Sequence, residues 1–185
     1  MPTLDFWFDY ACPYAYVAST EVEALAARTG ATLRWRPMLL GGVFRAVNTA
    51  QNLASSLPAP KVRYLFVDQL RLASRAGVLI HHPMEHPRRT VSALRATLAR
   101  GNDPAIIHAF FRAYWVEGRA VENDDVVREI AGDVDLEAQR EPLRVLTEEA
   151  ITLGVFGAPA YVVEGRLWWG SDRQHFVEAA LRASA

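Results

Sequence analysis

Apolar positions along the 185-residue chain fall into three regimes. Residues 4–9 form a near-continuous apolar run, with Phe6, Trp7 and Phe8 in succession, the pattern of a strand buried on both faces. Cys12 and Pro13 follow at once, and proline at a first helical position has its backbone angle already set for a helix. Tyr14, Val17, Ala18, Val22, Leu25 and Ala26 then recur at helical spacing until Gly30 supplies the stop. Ala31, Leu33 and Trp35 alternate with Thr32, Arg34 and Arg36, a second strand that Pro37 ends. A crossover of that length joins parallel strands, so the opening is a β-α-β unit.

The middle regime, from about residue 60 to residue 153, has helical patterns and no convincing strand. Leu65, Leu70 and Leu72 mark one helix, and Val91, Leu94 and Leu98 another. Asp103-Pro104 is a cap-plus-proline start for a third, carrying Ile106, Ile107, Phe110, Phe111, Tyr114 and Trp115. Val126, Val127 and Ile130 follow Asn123-Asp124-Asp125, and Leu143, Leu146 and Ile151 close the block. The last regime returns to strand: residues 160–163 and 166–169 flank Glu164-Gly165, a hairpin signal. A final helix carries Phe176, Val177, Ala180 and Leu181, with Ser171 or Asp172 expected as its cap. The order is β-α-β, a helical block, then β-β-α. The helical block reads as an insertion, residues 46–153, between the two halves of one small α/β domain, residues 1–45 and 154–185.

Composition narrows the function classes. Lys plus Arg is 20 and Asp plus Glu is 21, so no net basic field exists to attract nucleic acid or an anionic membrane. Lys61 is the single lysine, so arginine is the default cation and one arginine alone says little. One cysteine, Cys12, excludes an internal disulfide and a Cys-rich zinc site. Asp5 and Asp9 fall where a signal peptide needs an apolar stretch, and no run approaches the length of a membrane span, so a cytoplasmic, soluble protein is expected.

Cys12 at a strand-to-helix junction is the sharpest chemical feature. Free N–H groups and a partial positive charge at a helix start favour a thiolate, so Cys12 is expected to be activated. The competing reading is a buried, inert cysteine. Pro159 enters the third strand; from this proline alone a trans bond is expected, since only about 5% of X-Pro bonds are cis. His81, His82 and His86 cluster, but Pro83 and Pro87 prevent a shared helical face, and a solvated loop is expected rather than a metal site. Arg88-Arg89 is expected at a helix start, in a surface or ion-pair role. Trp115, Tyr114 and Phe111 are expected in the core, and Glu148-Glu149 on an exposed helix face.

The order of elements, with Cys-Pro at the first helix and Pro159 at the third strand, resembles the thioredoxin fold. The large helical insertion resembles its DsbA-type branch. There the proline is cis and faces the start of the first helix, which the resemblance therefore implies for Ala158–Pro159. Ala15 departs from the dithiol pattern, which needs a second thiol. Four blocks resemble the kappa-class glutathione transferases and 2-hydroxychromene-2-carboxylate isomerases over essentially the whole chain. These are Asp5-Phe6-Trp7-Phe8-Asp9-Tyr10 with Pro13-Tyr14-Ala15-Tyr16, Asn52 with Lys61, Phe156-Gly157-Ala158-Pro159, and Trp168-Trp169-Gly170-Ser171-Asp172-Arg173.

The resemblance implies glutathione as cofactor. Cys12 would sit beside its sulfur, the main chain of Ala158 ahead of Pro159 would pair with its backbone, and Ser171 and Asp172 would hold its γ-glutamyl group. Asn52 would lie near the thiol or substrate, and Lys61 would meet a carboxylate. The implied activity is glutathione-dependent cis-trans isomerisation of an aromatic 2-oxo acid, with Cys12 and Asn52 as catalytic residues. Tyr10, Tyr14 and residues 39–48 would line the aryl pocket. The alternatives are a kappa-like glutathione transferase, a monothiol redox enzyme using Cys12, and a glutathione- or thiol-peptide-binding module. The resemblance also implies a homodimer. These families usually carry serine where this chain has Cys12.

Overall fold

The computed structural model describes residues 1–184. Four strands form one sheet in the order β2-β1-β3-β4: β1 (Thr3–Phe8), β2 (Thr32–Pro37), β3 (Ala160–Val163) and β4 (Arg166–Trp169). β1 and β2 run parallel, as the crossover demands, and β3 lies antiparallel to both β1 and β4. The crossover is α1 (Pro13–Thr29); Pro13 opens it, and Gly30 closes it in the left-handed conformation at φ 64°. The hairpin turns on Glu164 and Gly165, both with positive φ (48° and 74°), the pair a two-residue primed turn requires.

Six helices stand between β2 and β3: α2 (Leu40–Ala46), α3 (Ala59–Arg75), α4 (Val91–Ala99), α5 (Pro104–Trp115), α6 (Asp124–Ala131) and α7 (Arg140–Thr152). Asp103 caps α5 and Asn123 caps α6, each side chain accepting from the backbone N–H two residues on. Helix α2 has no counterpart in the sequence expectations, because Gly41 and Gly42 dilute its apolar pattern. The chain ends in α8 (Gln174–Ala183). The cap expected at its start is not made: a single 3-10 turn over Ser171–Arg173 intervenes, Arg173 occupies the cap position, and neither Ser171 nor Asp172 makes a capping bond. A 3-10 turn satisfies the first amides with backbone carbonyls, so neither side chain is needed as a cap.

β1 is covered on both faces, which explains its near-continuous apolar run. Phe6 and Phe8 pack edge-on against Trp35 of β2, and Phe8 meets Phe111 of α5. On the opposite face, Arg34 forks onto Asp5, and Arg36 lies over the Trp7 ring at 4.7 Å while pairing with Glu149 of α7. Glu149 thus ties α7 to the sheet rather than only facing solvent. Phe111, Tyr114 and Trp115 are fully buried, as expected. No helix among the described residues is long and apolar enough to cross a membrane.

Residues 76–90 are irregular, and His86–Pro87 is cis. They do not form the solvated histidine loop expected. His82 bonds Gln69 of α3, His86 Nδ1 lies 2.9 Å from the Tyr114 hydroxyl, and both rings pack against Trp115. Bulky aromatic neighbours on α5 draw these imidazoles inward; burial holds His86 down at a pKa of about 4. Arg88 lies just ahead of α4 and pairs with Glu85 and Glu122, the ion-pair role expected of it.

Candidate active site

Asp9 organises the end of β1. Its carboxylate accepts from the Ala11 N–H (3.0 Å), the Thr90 hydroxyl (2.7 Å) and the Leu40 N–H (2.8 Å). One buried side chain thereby fastens the β1–α1 turn to the starts of α2 and α4. Burial raises the Asp9 pKa, and the three bonds pull it back in part. Sequence reading gave Asp9 no role beyond its motif. The signal was a lone carboxylate ending an apolar strand, which needs donors that only the folded chain supplies.

Asp9 also fixes Cys12, whose backbone N–H donates to the Asp9 carbonyl at 3.1 Å. Cys12 is the extended residue just ahead of α1 and is 7% exposed. Its thiol donates to the Ala158 carbonyl at 3.0 Å. The expected thiolate is not formed. Burial pushes the Cys12 pKa up to about 12, outweighing the N–H groups of Ala15 and Tyr14, while the Asp9 charge pushes it the same way. Cys12 is a neutral thiol at pH 7.

The Ala158–Pro159 bond is cis, and the Ala158 contact sets it against the start of α1, as the thioredoxin resemblance implies. The Gly170 N–H donates to the Pro159 carbonyl at 3.1 Å and holds the Ser171–Arg173 turn beside this segment. Gly170 has φ 114°, open only to glycine. Ser171 is 3% exposed, whereas the Asp172 side chain is 53% exposed and pairs with Arg173 at 3.0 Å. Gly157 allows the Trp169 indole to close on this backbone, since a Cβ there would meet its Nε1 at 2.7 Å. These bonds bring Cys12, Ala158, Pro159, Ser171 and Asp172 together at the ends of β1 and β3, where only Asp172 is exposed.

Asn52 and Lys61 bond to none of these five residues. Asn52 is exposed, and its side chain accepts from the Ala54 N–H at the start of a 3-10 turn over Leu53–Ser56. Lys61 is exposed in the first turn of α3. Tyr10, expected in the aryl pocket, is fully buried and bonds Thr97 at 2.5 Å, because its ring fills the space between Phe8, Phe110 and Phe111. Tyr14 is half-buried and reaches Asp68 of α3 at 3.5 Å.

A cavity of about 310 Å³ adjoins the β1–α1 turn at Asp9 and Ala11. Its lining includes Asp9, Ala11, Leu39, Phe44, Arg45 and Arg89, so part of segment 39–48 does face a pocket. A second cavity of about 290 Å³, around Asp124, Arg128 and Asp133, includes none of the residues around Cys12.

A model of the DSBA-like thioredoxin domain matches residues 3–182. The chain belongs to the DSBA-like thioredoxin family. Within it, a 2-hydroxychromene-2-carboxylate isomerase of Sphingobium xenophagum is 30% identical over 97% of this chain and 97% of its own length. A glutathione S-transferase kappa 1 of Caenorhabditis elegans is 24% identical over 98% of this chain and 92% of its own. A solved 2-hydroxychromene-2-carboxylate isomerase superposes with a TM-score of 0.83 at 27% identity, covering 98% of this chain and 95% of that one. The family, the fold and the kinship with these isomerases and with kappa-class transferases match what the four sequence blocks imply.

Proposed function

We propose that this protein is a glutathione-dependent isomerase of an aromatic 2-oxo acid. The observation that carries the reading is the Cys12 thiol, neutral, buried and bonded to Ala158, at a site whose relatives are isomerases. A sulfur held that way is a poor nucleophile, so the reactive thiolate must come from elsewhere. The name of the kappa relative supports glutathione as its source.

The donor set fits that tripeptide. The Ala158 N–H has no partner among the described residues, and an extended peptide can add to it as an extra strand. Asp172 offers a half-exposed carboxylate to an α-ammonium, and the turn beginning at Ser171 offers backbone donors to an α-carboxylate. The start of α1 presents its first N–H groups where a thiolate needs stabilising.

Bound glutathione supplies a nucleophile whose reversible addition to a conjugated carbon turns a rigid double bond into a rotatable one. The chain's own share is electrostatic. The α1 amides lower the cost of the thiolate, and the Cys12 S–H is a weak donor near the same place. Asn52 and Lys61 are the candidates for stabilising the enolate. In the structure Asn52 lies on the exposed segment ahead of α3 and Lys61 in its exposed first turn, so this role requires them to close over bound ligand.

The test is one panel of assays with glutathione present and absent. It takes a hydroxychromene carboxylate, a chlorinated nitroaromatic and a disulfide. Glutathione-dependent isomerisation of the first supports the reading. Turnover of the second alone makes the protein a transferase, and turnover of the third alone a redox enzyme.

A further inference from the structure

We propose that the cavity between α2 and residues 87–91 binds the carboxylate and ring of an aryl 2-oxo acid, with Arg45 and Arg89 as the cations that hold the acid. The substrate class rests on the function proposed above; the site rests on the cavity. At about 310 Å³ it is the size of a small aromatic acid. Leu39, Leu40, Phe44 and Val91 give it an apolar wall.

The charges in its lining are unequally engaged. Asp9 is satisfied by three donors, and Arg88 is 12% exposed with its two terminal nitrogens on Glu85 and Glu122. Most arginines of the chain sit in ion pairs of this kind. Arg45 and Arg89 do not: among the described residues neither has a carboxylate partner or a side-chain hydrogen bond, and both are exposed at the cavity. Arg45 comes from the last turn of α2 and Arg89 from the residues just before α4. The Asp9 bonds to Leu40 and Thr90 hold these two segments in place. Two unpaired guanidinium groups beside an apolar wall fit a planar carboxylate attached to a ring.

The position also suits the reaction. Ala11 lines the cavity, and the next residue is Cys12. A ring acid seated there lies against Ala11 of the β1–α1 turn, next in the chain to the residue beside which glutathione is proposed to lie. Lys61, on α3, is absent from the lining, which makes Arg45 and Arg89 the better placed cations.

The experiment titrates 4-phenyl-2-oxobut-3-enoate and its methyl ester into the protein by calorimetry, without glutathione and with S-methylglutathione, whose sulfur cannot add. The acid should bind at least about tenfold tighter than the ester. Arg45→Gln and Arg89→Gln should each weaken the acid about tenfold, leave the ester unchanged and leave the melting temperature unchanged. Equal binding of acid and ester, or variants that bind the acid like the wild type, would overturn the assignment. Glutathione-dependent turnover separates the two claims. Arginine-dependent binding without turnover keeps the pocket and removes the isomerase reading. Turnover with an unchanged KM in both variants keeps the reading and removes the pocket.

Discussion

The Cys12 thiol donates to the Ala158 carbonyl across 3.0 Å, joining the start of α1 to the residue before Pro159. The contact buries the sulfur, and burial decides the protonation state of the site. A helix start alone would favour a thiolate, but burial wins and the pKa rises to about 12. Alkylation of the native protein at pH 7 should therefore be slow and should speed up on unfolding. The unfolded thiol loses its proton near its ordinary value of 9.0 while the folded one keeps it, so high pH favours the unfolded state. Stability should fall as pH rises from about 9 toward 12, and that loss should be smaller in Cys12→Ser. Rapid native alkylation at pH 7 would show the thiolate that burial forbids.

His86 gives the opposite slope. Its folded pKa, near 4, lies below the ordinary 6.5, because burial beside Trp115 and the His82 charge both disfavour the cation. The unfolded imidazole takes up a proton first as pH falls. Stability should therefore drop between pH 6.5 and 4. Partial exposure keeps the contribution to about 1–2 kcal/mol. Urea titrations at pH 7 and pH 4.5 should show a smaller difference for His86→Gln than for the wild type.

Asp9 is the most consequential single side chain at the turn. Asp9→Ala leaves the Ala11 and Leu40 N–H groups and the Thr90 hydroxyl without their acceptor. The loss should be about 3 kcal/mol or more by urea denaturation, against about 1 kcal/mol for Thr90→Val. Equal effects from the two variants would mean that Asp9 does not unite the three segments.

Asp172 should separate binding from folding. It caps no helix, is half exposed and pairs only with its neighbour Arg173. Asp172→Ala should weaken glutathione binding about ten- to a hundredfold while moving the melting temperature little. Parallel losses in both would give the residue a structural role instead.

The parts legible in the sequence are those encoded locally. Pro13, Gly30 and Pro37 set the limits of α1 and β2, and Glu164-Gly165 fixes the hairpin, because each acts through its own backbone angles. Asp103, the cap of α5, was legible for the same reason. What depends on distant partners was not. The neutral state of Cys12 is set by its burial in the folded chain, against a residue 146 positions away, and the inward turn of His82 and His86 by the aromatic face of α5. Helix α2 escaped notice because two glycines break its pattern, and its packing against α7 holds it, with Thr147 of α7 bonding the Leu39 N–H at 3.0 Å. Arg45 and Arg89 gained meaning only when most other arginines proved to be paired.

The most direct test of the central claim, that the reactive sulfur belongs to glutathione and not to Cys12, is the rate of isomerisation of a conjugated aryl 2-oxo acid by wild type and Cys12→Ser, each with and without glutathione. The account expects no turnover by either protein without glutathione. With glutathione, Cys12→Ser should keep most of the activity, because a hydroxyl can donate where the thiol does. Wild-type turnover without glutathione, or a Cys12→Ser protein that folds, binds glutathione and is inert, would contradict it.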